Sequence, residues 1–261
     1  MRWKVLACLG LLGQGILLPV AAAMEVDLEL VLAVDVSGSM DTEEQAVQQQ
    51  GYSEALLHPE VLAAIRSGPL GRIAVAYVEW AGTGAQAVVV PWTPIADEVT
   101  ARSFVAALDD APPGRRHGTS ISGALAFAAP LFDGNGYEGP RRVIDISGDG
   151  ANNMGPPVMP VRDAVVAAGI VINGLPIALR PSGGWFGLDG PELVAYYRDC
   201  VIGGPGAFVL PVTEAGQLAE AIRQKLVLEI AGRVPRPQPV AVAGSDCLVG
   251  ERQRRIWERE P

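Results

Sequence analysis

Hydrophobic and polar positions along the chain switch repeatedly between two patterns. Short unbroken apolar runs alternate with longer stretches in which apolar residues recur at every third or fourth position. The first pattern suits strands covered on both faces, and the second suits amphipathic helices. Strands are predicted at Leu28 to Val34, Arg72 to Trp80, Gln86 to Trp92, Arg142 to Ser147, Ile170 to Ala178 and Phe208 to Val212. Helices are predicted from Asp41 or Thr42 to about Leu57, at Asp97 to Leu108 and Ser120 to Leu131, up to about Gly169, at Pro191 to Tyr197 and at Glu214 to Ala231. Strands alternating with helices imply an α/β fold with a doubly wound, mostly parallel sheet and helices on both faces. The short, glycine-rich Ala81-Gly82-Thr83-Gly84-Ala85 link makes the second and third strands a hairpin, so one edge strand is antiparallel.

Three segments follow from the same pattern. Residues 1–23 carry Arg2 and Lys4, a long apolar run through Leu18, and Pro19-Val20-Ala21-Ala22-Ala23. That order matches a signal peptide cleaved after Ala23, which implies an exported protein, periplasmic or extracellular, with no stable membrane span after cleavage. Residues 24–232 form the α/β domain. From 233 to 261 prolines and small residues break the periodicity, giving a Pro-rich linker and a charged carboxy-terminal tail.

Composition then narrows the chemistry. The formal charge of −9 becomes −11 when Arg2 and Lys4 leave the 20 basic residues that face 29 acidic ones, which argues against nucleic acid as a partner. Of three cysteines, Cys200 and Cys247 survive processing; they either form one disulfide that ties the tail to the domain or remain two thiols.

Ligands of doubly wound sheets bind beyond the carboxyl ends of the central strands. The loops predicted there supply Asp35, Ser37 and Ser39 after the first strand, Thr119 at the opening of a helix, and Asp149 after the Arg142 to Ser147 strand. All five are hard oxygen donors. Carboxylates, hydroxyls and water suit Mg2+ first, with Mn2+ and Ca2+ as alternatives.

Asp35-Val36-Ser37-Gly38-Ser39 resembles the Asp-x-Ser-x-Ser signature of the metal-ion-dependent adhesion site (MIDAS) of von Willebrand factor A (VWA) domains. Gly118-Thr119 and Ser147-Gly148-Asp149-Gly150 match its other two motifs, in the same order. The resemblance covers about Asp27 to Ala231. It implies that Ser37, Ser39 and Thr119 offer hydroxyls directly or through water, while Asp35 and Asp149 hold the ion partly through water or by orienting ligands. It also implies a cation-dependent protein-binding module, in which an acidic residue of a protein partner completes the coordination shell, and no catalysis. More narrowly, the Gly139 to Gly150 and Tyr196 to Gly206 segments are similar to an exported bacterial family of unknown function.

Other residues have plainer readings. Asp145 lies within an apolar strand and is expected to pair structurally, with Arg141, Arg142 or Arg162 as partners; His117 is expected to face solvent. Trp185 and Phe186, in a glycine-rich loop, either form a partner-binding tip or fold back over the sheet. The rival enzyme reading is a haloacid-dehalogenase-like phosphatase with Asp35 as nucleophile, since the Asp35 and Asp149 loops look like that superfamily's first and last motifs. Against it stand Ser37 and Asn153 where acids are expected, and the lack of any lysine between Lys4 and Lys225. A serine hydrolase is weaker still: no Gly-x-Ser-x-Gly elbow occurs, and only His58 and His117 are available as base.

Overall fold

Seven strands and eight α-helices are seen among the residues that the computed structural model describes, namely 22–38, 42–112, 114, 116–179, 188–235 and 244–259. Ser39, Trp185 and Phe186 lie outside these residues, as do 1–21 of the expected signal peptide. The main sheet has the order β4-β3-β2-β6-β7, from β2 (Glu29–Asp35), β3 (Ile73–Trp80), β4 (Gln86–Ile95), β6 (Arg142–Gly148) and β7 (Ile170–Pro176). All neighbours are parallel except β3 and β4, so the edge strand is antiparallel as the hairpin link requires.

Period-two alternation in β2 divides the core between the two faces. Leu30, Leu32 and Val34 point to one face, where α1 (Thr42–Leu57), α2 (Pro59–Arg66), α3 (Glu98–Asp109) and α7 (Leu218–Ile230) cover them. Val31 and Ala33 point to the other, under α4 (Ile121–Ala128), α5 (Val158–Ala167) and α6 (Gly190–Tyr196). A fully buried β2 is therefore apolar at almost every position until Asp35, where the chain leaves the sheet.

Several expectations are revised. The first helix does end near Leu57, and His58 and Pro59 then start a second helix, α2, that was not anticipated. The His58 Nδ1 accepts from the Glu60 amide, and Pro59 occupies a helix-start position where its missing N–H costs nothing. Residues 208–212 do not form a full ladder; they run beside β7 through isolated parallel bridges at Gly174–Val209 and Ile177–Val212. A small parallel sheet of β1 (Met24–Glu25) and β5 (Tyr137–Glu138) was not anticipated. The tail folds back as α8 (Val249–Trp257), and a Cys200–Cys247 disulfide joins it to the π-helical turn after α6, with a Cα–Cα distance of 5.5 Å. No helix among the described residues is long and apolar enough to cross a membrane.

Asp145 is buried in β6 and pairs with Lys225 of α7, not with an arginine. Lys225 also pairs with Glu229, whose Oε1 accepts from Asn173 Nδ2 at 2.9 Å. This interior cluster holds two carboxylates and one ammonium. Burial first, and the Asp145 charge second, push the Glu229 carboxyl up to about 8.

Candidate functional site

At the carboxyl end of β2 the Asp35 side chain folds over its own loop. Its Oδ1 accepts from the Ser37 amide at 2.7 Å, an Asx-type turn that orients the residues following the strand. The Ser37 hydroxyl and the Asp149 amide also bond Asp35. Its Oδ2 is buried without a hydrogen-bond partner among the described residues. Burial, then the neighbouring Asp149 charge, raise the Asp35 carboxyl well above the usual carboxylate range, against the lowering effect of those hydrogen bonds.

The end of β6 approaches from the adjacent strand. Gly148 is required there, because a Cβ would lie 2.8 Å from Tyr197 Oη and 2.9 Å from Asp35 Oδ2. Tyr197 Oη and Trp80 Nε1 are two further buried polar atoms without partners among the described residues. Burial first, then Asp35 and Asp149, raise the Tyr197 phenol as well. Sequence reasoning missed this tyrosine and tryptophan as neighbours of the site. It also missed Gln48, which reaches from α1 to donate to Ser147 Oγ at 3.2 Å, and Gln45, which donates to Ser37 O at 3.3 Å. Their spacing on one buried helical face was the available signal.

The third loop is fastened to the second. The Thr119 amide donates to Asn153 Oδ1 at 3.0 Å, and Thr119 O accepts from the Asn153 and Met154 amides at 2.9 and 3.1 Å. A Cβ on Gly150 would lie 3.8 Å from Thr119 Oγ1, so the Asp149 loop and Thr119 are immediate neighbours. Thr119 does not open the helix as expected. Ser120 is the N-cap of α4, its Oγ accepting from the Gly123 amide at 3.1 Å, and that leaves Thr119 one residue outside the helix. His117 is exposed, although its Nδ1 would lie 3.6 Å from a Cβ on Gly38.

Asp35, Ser37, Thr119 and Asp149 thus meet at one end of the sheet, while Ser39 lies outside the described residues. Among the described residues no three His, Cys, Asp or Glu side chains gather as a metal cage. An ion held here would rest on two carboxylates, hydroxyls and water. The donor set fits such an ion: two acidic groups repel one another, and one buried oxygen has no donor among the described residues.

The model described as "Protein of unknown function (DUF1194)" matches residues 25–234. The chain belongs to that family. No curated protein matches this family member in sequence. Its fold is that of a VWA domain. Proximal thread matrix protein 1 from the mussel byssus, solved with a zinc-occupied MIDAS motif, matches with a TM-score of 0.59 at 17% identity, over 81% of this chain and 49% of that one. The pilus adhesin SpaC of Lactobacillus rhamnosus GG matches with a TM-score of 0.58 at 14% identity, over 80% and 31%. The protein BatB of Bacteroides thetaiotaomicron matches with a TM-score of 0.52 at 18% identity, over 78% and 99%. The DUF1194 chain therefore spans about half or less of the first two proteins.

Proposed function

We propose that this protein is an exported, divalent-cation-dependent protein-binding module in which Asp35, Ser37, Ser39, Thr119 and Asp149 hold Mg2+, or alternatively Mn2+ or Ca2+. The carrying observation is the buried Asp35 Oδ2, without a donor among the described residues and set against a second acidic residue at the strand ends. A dication in that place relieves the repulsion and dominates the local field despite the acidic surface. A protein partner supplies an acidic side chain to the remaining coordination position and displaces water.

Two of the structurally similar proteins support this reading by their described character: one has a metal-occupied MIDAS and the other is an adhesin. Export rests on the 1–23 segment, and the Cys200–Cys247 disulfide suits an oxidising compartment. The phosphatase alternative is not favoured. Asn153 is engaged with Thr119, and Lys225 is buried and already paired with Asp145 and Glu229. As for a serine hydrolase, His58 serves as a helix cap.

Calorimetric titration of the mature protein with Mg2+ and Mn2+ tests the site. We expect one binding event that disappears in Ser37→Ala plus Asp149→Ala while far-UV circular dichroism is retained. Unchanged affinity in that double variant refutes the assignment. Mg2+-dependent phosphatase turnover abolished by Asp35→Asn would replace the binding reading with the enzymatic one.

A further inference from the structure

We infer that the carboxy-terminal helix α8 is a disulfide-fastened strap that positions the 149–157 loop, and Thr119 through it, with Glu251 as its positioning residue. As a statement about cation affinity this rests on the site proposed above; as a statement about loop order it does not. The family match ends at residue 234, so the strap lies outside the matched span.

The contacts form a continuous path. Cys247 is bonded to Cys200, and the Ser245 amide donates to Asp199 Oδ2 at 3.0 Å, which fixes the entry to α8. Within α8, Glu251 Oε1 accepts from Asn152 Nδ2 at 2.8 Å. Gly250 sits against the same residue so closely that a Cβ would come within 2.2 Å of Asn152 O. Asn152 is fully buried, and its Oδ1 accepts from the Ser122 amide at 3.0 Å, which joins the loop to α4. The next residue, Asn153, holds Thr119 on both sides of its peptide.

Packing alone does not keep the strap in place. An isolated helix of nine residues is marginal in water. Among the described side chains here, Leu248 and Ile256 are exposed, while Cys247 and Val249 pack against the core. Between the strap and the loop lies a cleft of about 610 Å³, lined by Asn153, Met154, Pro157, Leu248, Arg254 and Arg255. The attachment is therefore a few polar tethers and one covalent bond. Reduction removes the bond, and the Glu251–Asn152 and Ser245–Asp199 contacts then hold the helix with little more than the packing of Val249 and Gly250.

The test compares oxidised protein with protein reduced by a phosphine, and with Cys247→Ser, Glu251→Ala and Glu251→Gln. Amide hydrogen exchange at Thr119, Asn153 and Met154 reports loop order, and Mn2+ titration reports the site. On reduction, and in Cys247→Ser, exchange at these amides accelerates about tenfold or more, and Mn2+ affinity falls about tenfold, the size seen when support behind metal ligands is removed. Glu251→Ala does the same with the disulfide intact, and Glu251→Gln, which keeps the acceptor, restores both readouts. Exchange rates at the three amides that are equal in oxidised and reduced protein overturn the strap. Absence of Mn2+ binding to the oxidised wild type overturns the cation reading, while the exchange arm still decides the strap.

Discussion

Replacing Glu229 by Gln isolates the energetics of the buried cluster beneath the sheet. Lys225 balances one of the two carboxylates it touches, Asp145 and Glu229, and the low dielectric around them leaves the second better off neutral. Glu229 takes that role, with its carboxyl raised from an ordinary 4.5 to about 8. A carboxyl that binds its proton more tightly in the folded than in the unfolded chain stabilises fully below about 4.5. That contribution fades as pH rises toward 8 and is gone above it. At about 1.4 kcal/mol per pH unit the ceiling is about 5 kcal/mol, and roughly 2–4 kcal/mol should be lost between pH 5 and pH 8. Gln mimics the protonated side chain and keeps the acceptor facing Asn173 and Lys225, so its stability should lack this slope. Urea denaturation of both proteins across that range measures the difference directly, and contributions from Asp35, whose carboxyl is raised in the same direction, cancel in the comparison. Parallel stability curves for wild type and Glu229→Gln would show that Glu229 is already ionised in the folded protein and that the balance described here is wrong.

Three further substitutions address the candidate site itself. Asp35→Asn removes a carboxylate that burial and Asp149 disfavour, so the metal-free protein should melt a few degrees higher, about 2–4 °C for each kcal/mol gained, while cation affinity is lost. A lower metal-free melting temperature with cation binding retained contradicts both halves. Gly148→Ala places a Cβ against Tyr197 Oη and Asp35 Oδ2, and should cost about 1–3 kcal/mol by thermal melting. Adding Tyr197→Phe, which deletes the nearer of those atoms, should recover part of the loss; strict additivity of the two changes would refute the close approach.

The layer architecture was legible in the sequence because it depends on short-range regularities. β2 reads as an unbroken apolar run because both faces are covered, and the antiparallel edge follows from a link too short for a crossover. Motif order likewise placed Asp35, Thr119 and Asp149 on three loops, and a doubly wound sheet brings such loops to one end. Thr119 was misjudged as a helix opener because Thr119 and Ser120 are equivalent by local chemistry; in the fold Ser120 Oγ takes the Gly123 amide, while the Thr119 backbone is bonded to Asn153 and Met154.

The chain by itself therefore determined the five strands of the main sheet and its two covered faces, and it nominated the oxygen donors, since each follows from periodicity and from residues close in sequence. Tertiary structure alone decided which charge answers Asp145, with Lys225 arriving from α7 on one face of the sheet. It also decided that Tyr197 stands beside Asp35 and that Glu251 supports Asn152. Those pairings join residues far apart in the chain, and their cost or benefit comes from burial, a property that no residue has until the sheet and both helical layers have closed around it.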